Sequence, residues 1–395
     1  MDSNLLSTTG RTSFKLSNSS NEIIALEWIS HDGNFVQREI LNPNESLIKS
    51  TFSTHAWAVE YMKSKELNFQ FYSSHIASIE ATAKGPMMHR TENIGWSSFK
   101  GYGPINVARS MNVPDDGVQI SKHYAGNFEA LNLIRASAAW TAGYTGQGMT
   151  IAILDAGLAN HIDYQSRVVA EYDAILNRET MGINNYYVDH ALGVASVLIG
   201  PHKEKNKTAI GVVPEAKLLN VRVTGPEVNS SEMQCAAMVR GIKWAVKTGA
   251  NVIFIPVQGD SGHATANFEQ ALEDAKAAGV VTVVIGGNFS RWGGSACSTA
   301  AQHGLCVAVG NLDMATGMPF PDSNVPGESP HAWVMASSGG IYPTADGGGK
   351  YYLNGGTSFA GPYVAGLAAL LRQKYPRSSV DDIIKLITSG AQLAY

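Results

Sequence analysis

Apolar runs alternate with helical stretches from about residue 131 onward, and this alternation constrains the fold more than any other feature of the chain. The runs are MTIAILDAG, AKLLNVRV, ANVIFIPV, GVVTVVIGG and GLCVAVG. Between them lie helical stretches such as EMQCAAMVRGIKWAVKTG and ANFEQALEDAKAAG. Strands that are apolar along their whole length are buried on both faces, which is typical of a parallel sheet covered by helices. We therefore predict an α/β fold, a mostly parallel sheet with helices on both faces.

The N-terminal part has a different pattern. Residues 1–82 contain short runs such as IIALEWI and FVQREIL, separated by turn signals, and predict a small all-β sandwich. Residues 83–130 are rich in Gly, Pro, Ser and Asn, so we expect a linker with room for one short helix. The predicted organisation is therefore 1–82, 83–130 and 131–395, which fits the two domains that a chain of 395 residues suggests.

Composition excludes several classes of protein. The chain is 44% hydrophobic, which rules out a wholly disordered protein. It carries 29 Lys and Arg against 33 Asp and Glu, without a polybasic run, so we expect neither nucleic acid nor a membrane as a partner. No apolar stretch reaches about 18 residues, and the N-terminus does not look like a secretory signal. We expect a cytoplasmic protein, with non-standard export left open.

Three cysteines are too few for a disulfide scaffold. Cys297 and Cys306 are close enough in sequence to pair across a loop, and all three cysteines are equally compatible with free thiols. The odd count and the absence of an export signal favour free thiols.

Four polar residues stand at the ends of predicted elements, where α/β sheets place their sites. Asp155 and Asn288 end the strand-like runs TIAIL and VVTVVIGG, while His190 and Ser358 begin HALGVASVLIG and SFAGPYVAGLAALLRQKY. A serine hydroxyl becomes nucleophilic when an imidazole takes its proton, and a carboxylate orients that imidazole. An Asn amide and the N–H groups of a helix start can stabilise the oxyanion. Each residue alone is explained by a turn or a cap, but the combination favours acyl transfer.

Residues 131–395 resemble the subtilisin-like serine peptidases, the subtilases. The matching segments are AILDAGL for the Asp motif, DHALGVAS for a divergent form of the His motif, VVIGGN for the oxyanion Asn and GGTSFAGPYVAGLAALL for the Ser motif. The resemblance implies a subtilisin-like fold and a serine endopeptidase. It implies that Ser358 is the nucleophile, that His190 is the general base and acid, and that Asp155 orients the imidazole. It also implies that Asn288 is the oxyanion donor.

Two segments depart from the family pattern. In the His motif, Leu192 and Gly193 stand where the family has Thr and a second His, which implies tuning of the site. The segment ANVIFIPVQGDSG looks like the family's S-L-G-G region, whose strand edge binds the substrate backbone. Pro256 and Gln258 replace the usual Ser and first Gly, ahead of Gly259. We expect these three residues to bind substrate and to give unusual specificity, because Pro removes a donor and Gln narrows the cleft or bonds the substrate. Calcium is known in the family, but no carboxylate spacing here supports it, so we predict neither a metal nor a cofactor.

The segment FKLSNSSNEIIALEWISHDGNFVQREILNPNESLIKSTFSTHAWAV is similar to the β domain of the von Hippel-Lindau tumour suppressor. That domain binds a hydroxyproline-containing peptide, and the resemblance implies a peptide site at Thr51, His55 and Trp57. Arg38 falls at the position of the pocket tyrosine. His and Thr can bond a hydroxyl, and Trp57 offers a flat apolar wall. The alternative is that Trp57 belongs to the core and His55 is an ordinary surface residue.

Three functions remain compatible with the sequence. The first is a serine endopeptidase acting on a peptide or protein substrate, with the N-terminal domain recruiting, positioning or inhibiting. The second is a degenerate peptidase that acts as a peptide-binding or regulatory protein. The altered His motif favours this function. The third is a dedicated processing enzyme that cleaves one peptide or transfers its acyl group to an amine. The intact Asp155, His190, Asn288 and Ser358 favour an active enzyme.

Overall fold

The computed structural model forms two compact units, Met1–Ile94 and Gly95–Tyr395. It describes residues 11–18, 23–29, 35–52, 56–61, 66–72, 76–82, 85–90, 96–122, 125–158, 165–179, 188–202, 209–258, 266–291, 293–295, 297–343 and 351–391. Only the backbone is described for residues 11–15, 17, 27–29, 35–37, 47–52, 56–61, 66–72, 76–82, 85–90, 188, 340–343 and 351–354.

The first unit is built of strands alone in its described part. Its elements are β1 (Arg11–Asn18), β2 (Ile24–Ile29), β3 (Phe35–Leu41), β4 (Ser46–Phe52), β5 (Ala56–Tyr61), β6 (Glu66–Tyr72), β7 (Ile76–Thr82) and β8 (Gly85–Arg90). They form two four-stranded sheets, in the orders β4-β1-β7-β8 and β3-β2-β5-β6. All pairings are antiparallel except that of β1 with β7. The small all-β domain that the many short strand-like runs predict is therefore confirmed.

The second unit centres on a seven-stranded sheet with the order β10-β11-β9-β12-β13-β14-β15, in which every neighbouring pair is parallel. Its strands are β9 (Thr150–Asp155), β10 (Val168–Asp173), β11 (Lys217–Arg222), β12 (Val252–Ile255), β13 (Val281–Ile285), β14 (Val307–Asn311) and β15 (Trp333–Ala336). A separate hairpin pairs β16 (Gly340–Pro343) with β17 (Tyr351–Asn354). The helices are α1 (Val107–Met111), α2 (Phe128–Leu133), α3 (Ser137–Thr141), α4 (Val188–Ile199), α5 (Ser231–Lys247), α6 (Ala266–Ala277), α7 (Thr357–Lys374) and α8 (Val380–Gly390). Short 3₁₀ turns occur at Gln165–Arg167 and Ser298–His303.

Helices cover both faces of this sheet, as the sequence predicts. In β9, Ile151 and Ile153 pack in the same core as α4 and α7, while Ala152 and Leu154 pack in the core that contains α5 and α6. Both sets are buried, which explains why the strand sequence is apolar at consecutive positions. The predicted α/β architecture is confirmed.

The segment 83–130 differs from the expected linker. Residues 85–90 are strand β8, and residues from 96 onward pack into the second unit. Ile105 donates its N–H to Met335 O at 3.0 Å, so the chain runs along the edge strand β15. Gly101, with φ +58°, lies so close to Trp333 that a Cβ would be 2.3 Å from its carbonyl oxygen. The glycine and turn residues therefore allow close packing here, a role that composition does not distinguish from a loose linker.

Candidate active site

Three parallel strands end at one cleft of about 450 Å³. Asp155 is the last residue of β9, Pro256 follows β12, and Asn288 lies just beyond β13. The cleft is lined by Asp155, His190, Thr224, Gln234, Pro256, Val257, Gln258, Ile285, Asn288 and Ser358. The four residues singled out from their motifs thus share one cleft, at the carboxyl edge of the sheet.

Asp155 holds the ring of His190. Its Oδ2 lies 2.7 Å from His190 Nδ1, and its Oδ1 accepts the Ala156 N–H at 2.8 Å. Asp155 is 2% exposed, whereas the imidazole, in the first turn of α4, is 26% exposed. With Nδ1 donating to the carboxylate, Nε2 is the ring nitrogen left to accept a proton.

The surroundings of His190 have opposing effects on its pKa. Burial lowers the pKa, and the charge of Asp155 together with its hydrogen bond raises it. The carboxylate outweighs burial, so the net pKa is above the ordinary value. The imidazolium formed by taking a proton is therefore stabilised where it stands.

Ser358 is the second residue of α7 and is 7% exposed. Its hydroxyl donates to Pro256 O at 3.0 Å. The rings of His190 and Phe359 meet edge to face with their centroids 5.4 Å apart, which holds the imidazole against the first turn of α7. A change of the Ser358 rotamer redirects the hydroxyl within this cleft. Catalytic hydrogen bonds are often loose before substrate binds.

The Asn288 side chain is anchored through its oxygen. Oδ1 accepts the Thr357 N–H and the Thr357 hydroxyl, both at 2.8 Å. Among the described residues Nδ2 has no partner, and Asn288 lines the cleft beside Ser358. The Ser358 N–H is one of the first four of α7, which have no acceptor within the helix. An amide and a backbone N–H are thus the available donors for a negatively charged oxygen at this place.

The substrate-binding residues expected from the sequence are partly described. Pro256 and Gln258 line the cleft, and Gln258 Oε1 accepts the Asn288 N–H at 2.9 Å. Gly259 lies outside the described residues.

The peptide site expected in the first unit is described only in part. Arg38 is exposed on β3. Thr51 lies in β4 and Trp57 lies in β5, and only the backbone of these two residues is described. Their side chains, and the whole of His55, lie outside the described residues.

Sequence reasoning missed Thr357, which anchors Asn288, and Asn324, which holds the loop around Asn288. Both read as ordinary cap or turn residues, because their partners are 69 and about 35 positions away. Within the described part of the chain, no group of three or more His, Cys, Asp or Glu residues could hold a metal ion. None of the helices described is long and apolar enough to cross a membrane.

None of the three cysteines forms a disulfide in this structure. Cys297 and Cys306 are buried and Cys235 is half-buried. Burial, followed by the neighbouring Cys297, raises the pKa of Cys306, so this thiol stays protonated.

Comparison with known proteins agrees with this geometry. The model of the subtilase family matches residues 146–394. Subtilisin DY of Bacillus licheniformis is 31% identical over 261 residues, which cover 66% of this chain and 89% of subtilisin DY. Alkaline elastase YaB of Bacillus sp. (strain YaB) is 29% identical over 246 residues, 62% of this chain, and the match spans only 60% of that protein's length. The crystal structure of a cold adapted subtilisin-like serine proteinase superposes with a TM-score of 0.51 at 23% identity, covering 62% of this chain and 83% of the other, and shows the same fold.

Proposed function

The chain belongs to the subtilase family of serine endopeptidases, and on that premise we propose that it hydrolyses peptide bonds through an acyl-enzyme on Ser358. The observation that carries the proposal is the meeting of Ser358, the 2.7 Å Asp155–His190 pair and a free Asn288 amide in one cleft. The substrate is a peptide or protein, and the reaction needs no cofactor.

In the first step, Ser358 Oγ attacks the carbonyl carbon of the scissile bond while His190 Nε2 takes its proton. Asp155 keeps Nδ1 as the donor and stabilises the imidazolium, in line with the raised pKa of His190. His190 then donates the proton to the leaving amine, and water hydrolyses the acyl-enzyme by the same route.

The negative charge of the tetrahedral intermediate needs donors that are already in place. Asn288 Nδ2 supplies one, because its oxygen is occupied by Thr357 and its nitrogen is available. The Ser358 N–H, at the start of α7, supplies another.

Gln258 limits which substrates fit, in our proposal. The residue whose carbonyl is attacked lies between Ser358 and Asn288, and we propose that its side chain packs against Val257, Gln258 and Ile285, which line the same cleft. The Gln258 side chain reaches the Asn288 N–H and so takes up space there. We propose that the enzyme favours small side chains at this position, with Pro256 and Gly259 contacting the substrate backbone.

The test is peptide hydrolysis by three full-length proteins: the wild type, Ser358→Ala and Ser137→Ala. Ser137 is the matched control, because it is also 7% exposed and lies outside the cleft. We expect turnover in the wild type and in Ser137→Ala, and none in Ser358→Ala. Mass analysis of the products separates hydrolysis from acyl transfer to an amine. A folded wild type that turns over no peptide would contradict the proposal and favour a peptide-binding protein.

For the first unit we propose a role in recruiting or positioning the substrate. The similarity of its sequence to the von Hippel-Lindau β domain and its all-β architecture support this role. The residues proposed to contact a hydroxyproline-containing peptide are Arg38, Thr51, His55 and Trp57.

The binding test uses full-length Ser358→Ala and a fluorescent peptide with one 4-hydroxyproline, compared with its proline twin by anisotropy. We expect tighter binding of the hydroxylated peptide, and its loss when Thr51→Ala and His55→Ala are added. Equal binding of both peptides would refute hydroxyl recognition, and Thr248→Ala, in the second unit, is the control.

A further inference from the structure

Asn324 is fully buried, and both polar atoms of its side chain form hydrogen bonds with one loop, residues 286–291. Its Oδ1 accepts the N–H groups of Phe289 and Arg291, at 3.0 and 2.8 Å. Its Nδ2 donates to Gly286 O at 2.9 Å. A buried carboxamide with its oxygen and nitrogen both paired is held in a single orientation.

The loop closes around Asn324 through the backbone as well. The Asn324 N–H donates to Gly287 O at 2.8 Å. Gly287 has φ +106°, and a Cβ there would lie 2.3 Å from Asn324 Nδ2, so only glycine permits this approach. Gly287 and Phe289, on the two sides of Asn288, are therefore both hydrogen-bonded to Asn324.

Asn288 itself forms hydrogen bonds with two other residues, Gln258 and Thr357. Its N–H donates to Gln258, and its side-chain oxygen accepts from Thr357. Asn324 therefore fixes the backbone of Asn288 through hydrogen bonds to the neighbouring residues Gly287 and Phe289, rather than to Asn288 itself. An oxyanion donor must lie about 2.7–3.1 Å from a charge that exists only during the reaction, so small shifts of this backbone matter.

We propose that Asn324 is a positioning residue, which holds the loop 286–291 so that Asn288 Nδ2 meets the oxyanion. This inference rests on the function proposed above. Because the contact with Asn288 is made only after attack, loss of Asn324 lowers kcat and leaves substrate binding nearly unchanged.

The substitution Asn324→Asp tests the orientation with almost no change in volume. A carboxylate still accepts from Phe289 and Arg291, but it cannot donate to Gly286 O and repels that carbonyl. We expect kcat to fall about 10- to 100-fold, less than the 10²–10³ typical for removing an oxyanion donor itself. KM should stay within about threefold, since ground-state binding is not affected.

A second set of variants separates positioning from general loss of stability. Asn127 is the control: it is 1% exposed, and its side chain likewise makes three hydrogen bonds, outside the cleft. We expect Asn127→Asp to lower the melting temperature without lowering kcat at temperatures where it is folded. Asn324→Ser replaces Asn324→Asp if the latter does not fold.

The decisive comparison is a double-mutant cycle with Asn288→Ala. If Asn324 acts through Asn288, adding Asn324→Asp to Asn288→Ala lowers kcat by less than about threefold. An additive loss, or a change in KM alone, would overturn the inference. Failure of the wild type to turn over peptide would instead count against the proposed function, so the two failures are distinguishable.

Discussion

Removal of the Gln258 side chain is predicted to change which substrates are cleaved. In the structure this side chain lies in the cleft and bonds the Asn288 N–H at 2.9 Å. The substitution Gln258→Ala opens space beside Ile285 for a larger substrate side chain. It also removes the acceptor of the Asn288 N–H.

The size of the change follows from the apolar surface that becomes available. The Leu side chain has three more carbon atoms than that of Ala. Burying each of them in the cleft contributes about 0.8 kcal/mol to the binding free energy, which gives about 2.4 kcal/mol in all. Since about 1.4 kcal/mol is a factor of ten in rate, the preference for Leu over Ala should rise by up to about 50-fold. The lost acceptor lowers kcat for both substrates alike, by about tenfold.

The assay compares kcat/KM for two chromogenic peptides that differ only in Ala or Leu before the scissile bond. Gln234→Ala is the matched control, because Gln234 is the other glutamine that lines the cleft. We expect the Leu-to-Ala ratio to rise in Gln258→Ala and to stay unchanged in the control. An unchanged ratio in Gln258→Ala, with both rates lowered, would refute the narrowing of the cleft.

Three further predictions concern pH, packing and thiols. The acidic limb of kcat/KM should have its midpoint above the ordinary pKa of a histidine, because Asp155 raises the pKa of His190 and the base must be neutral. Asp155→Asn should move that midpoint to lower pH and lower kcat about 10⁴-fold, because the imidazole is then held in the wrong tautomer; an unmoved midpoint would contradict this. Gly361→Ala should lower the free energy of unfolding by about 1–3 kcal/mol in urea, because its Cβ would lie 2.5 Å from the Phe254 ring; no loss would contradict the packing. Iodoacetamide should modify Cys235 in the native protein and all three cysteines in denaturant, as mass analysis will show; native modification of the buried pair would contradict their burial.

The architecture of the second unit follows from local sequence, and so do the places of the candidate residues. Buried parallel strands are apolar at consecutive positions, so β9, β12 and β13 are visible in the sequence. Their carboxyl ends meet at one edge, which explains why Asp155 and Asn288 could be expected near each other. The subtilase resemblance of residues 131–395 is confirmed, whereas the von Hippel-Lindau resemblance stays a prediction.

Long-range contacts account for what the sequence did not reveal. Asn324 lies in a run of turn residues, and nothing local indicates that its amide holds a loop about 35 residues earlier. The segment around Gly101 has the composition of a linker, but it packs against Trp333, more than 200 positions away. In both cases the relevant partner is distant in sequence, and side-chain type alone does not identify it.

The most direct test of the central claim is covalent trapping of Ser358 by a fluorophosphonate, because only a serine activated by its neighbours reacts. Intact mass of the full chain should show one adduct, and peptide mapping should assign it to Ser358. Labelling should be abolished in Ser358→Ala and strongly slowed in His190→Ala. A folded wild-type chain that takes up no label, or takes it up equally without His190, would contradict the account.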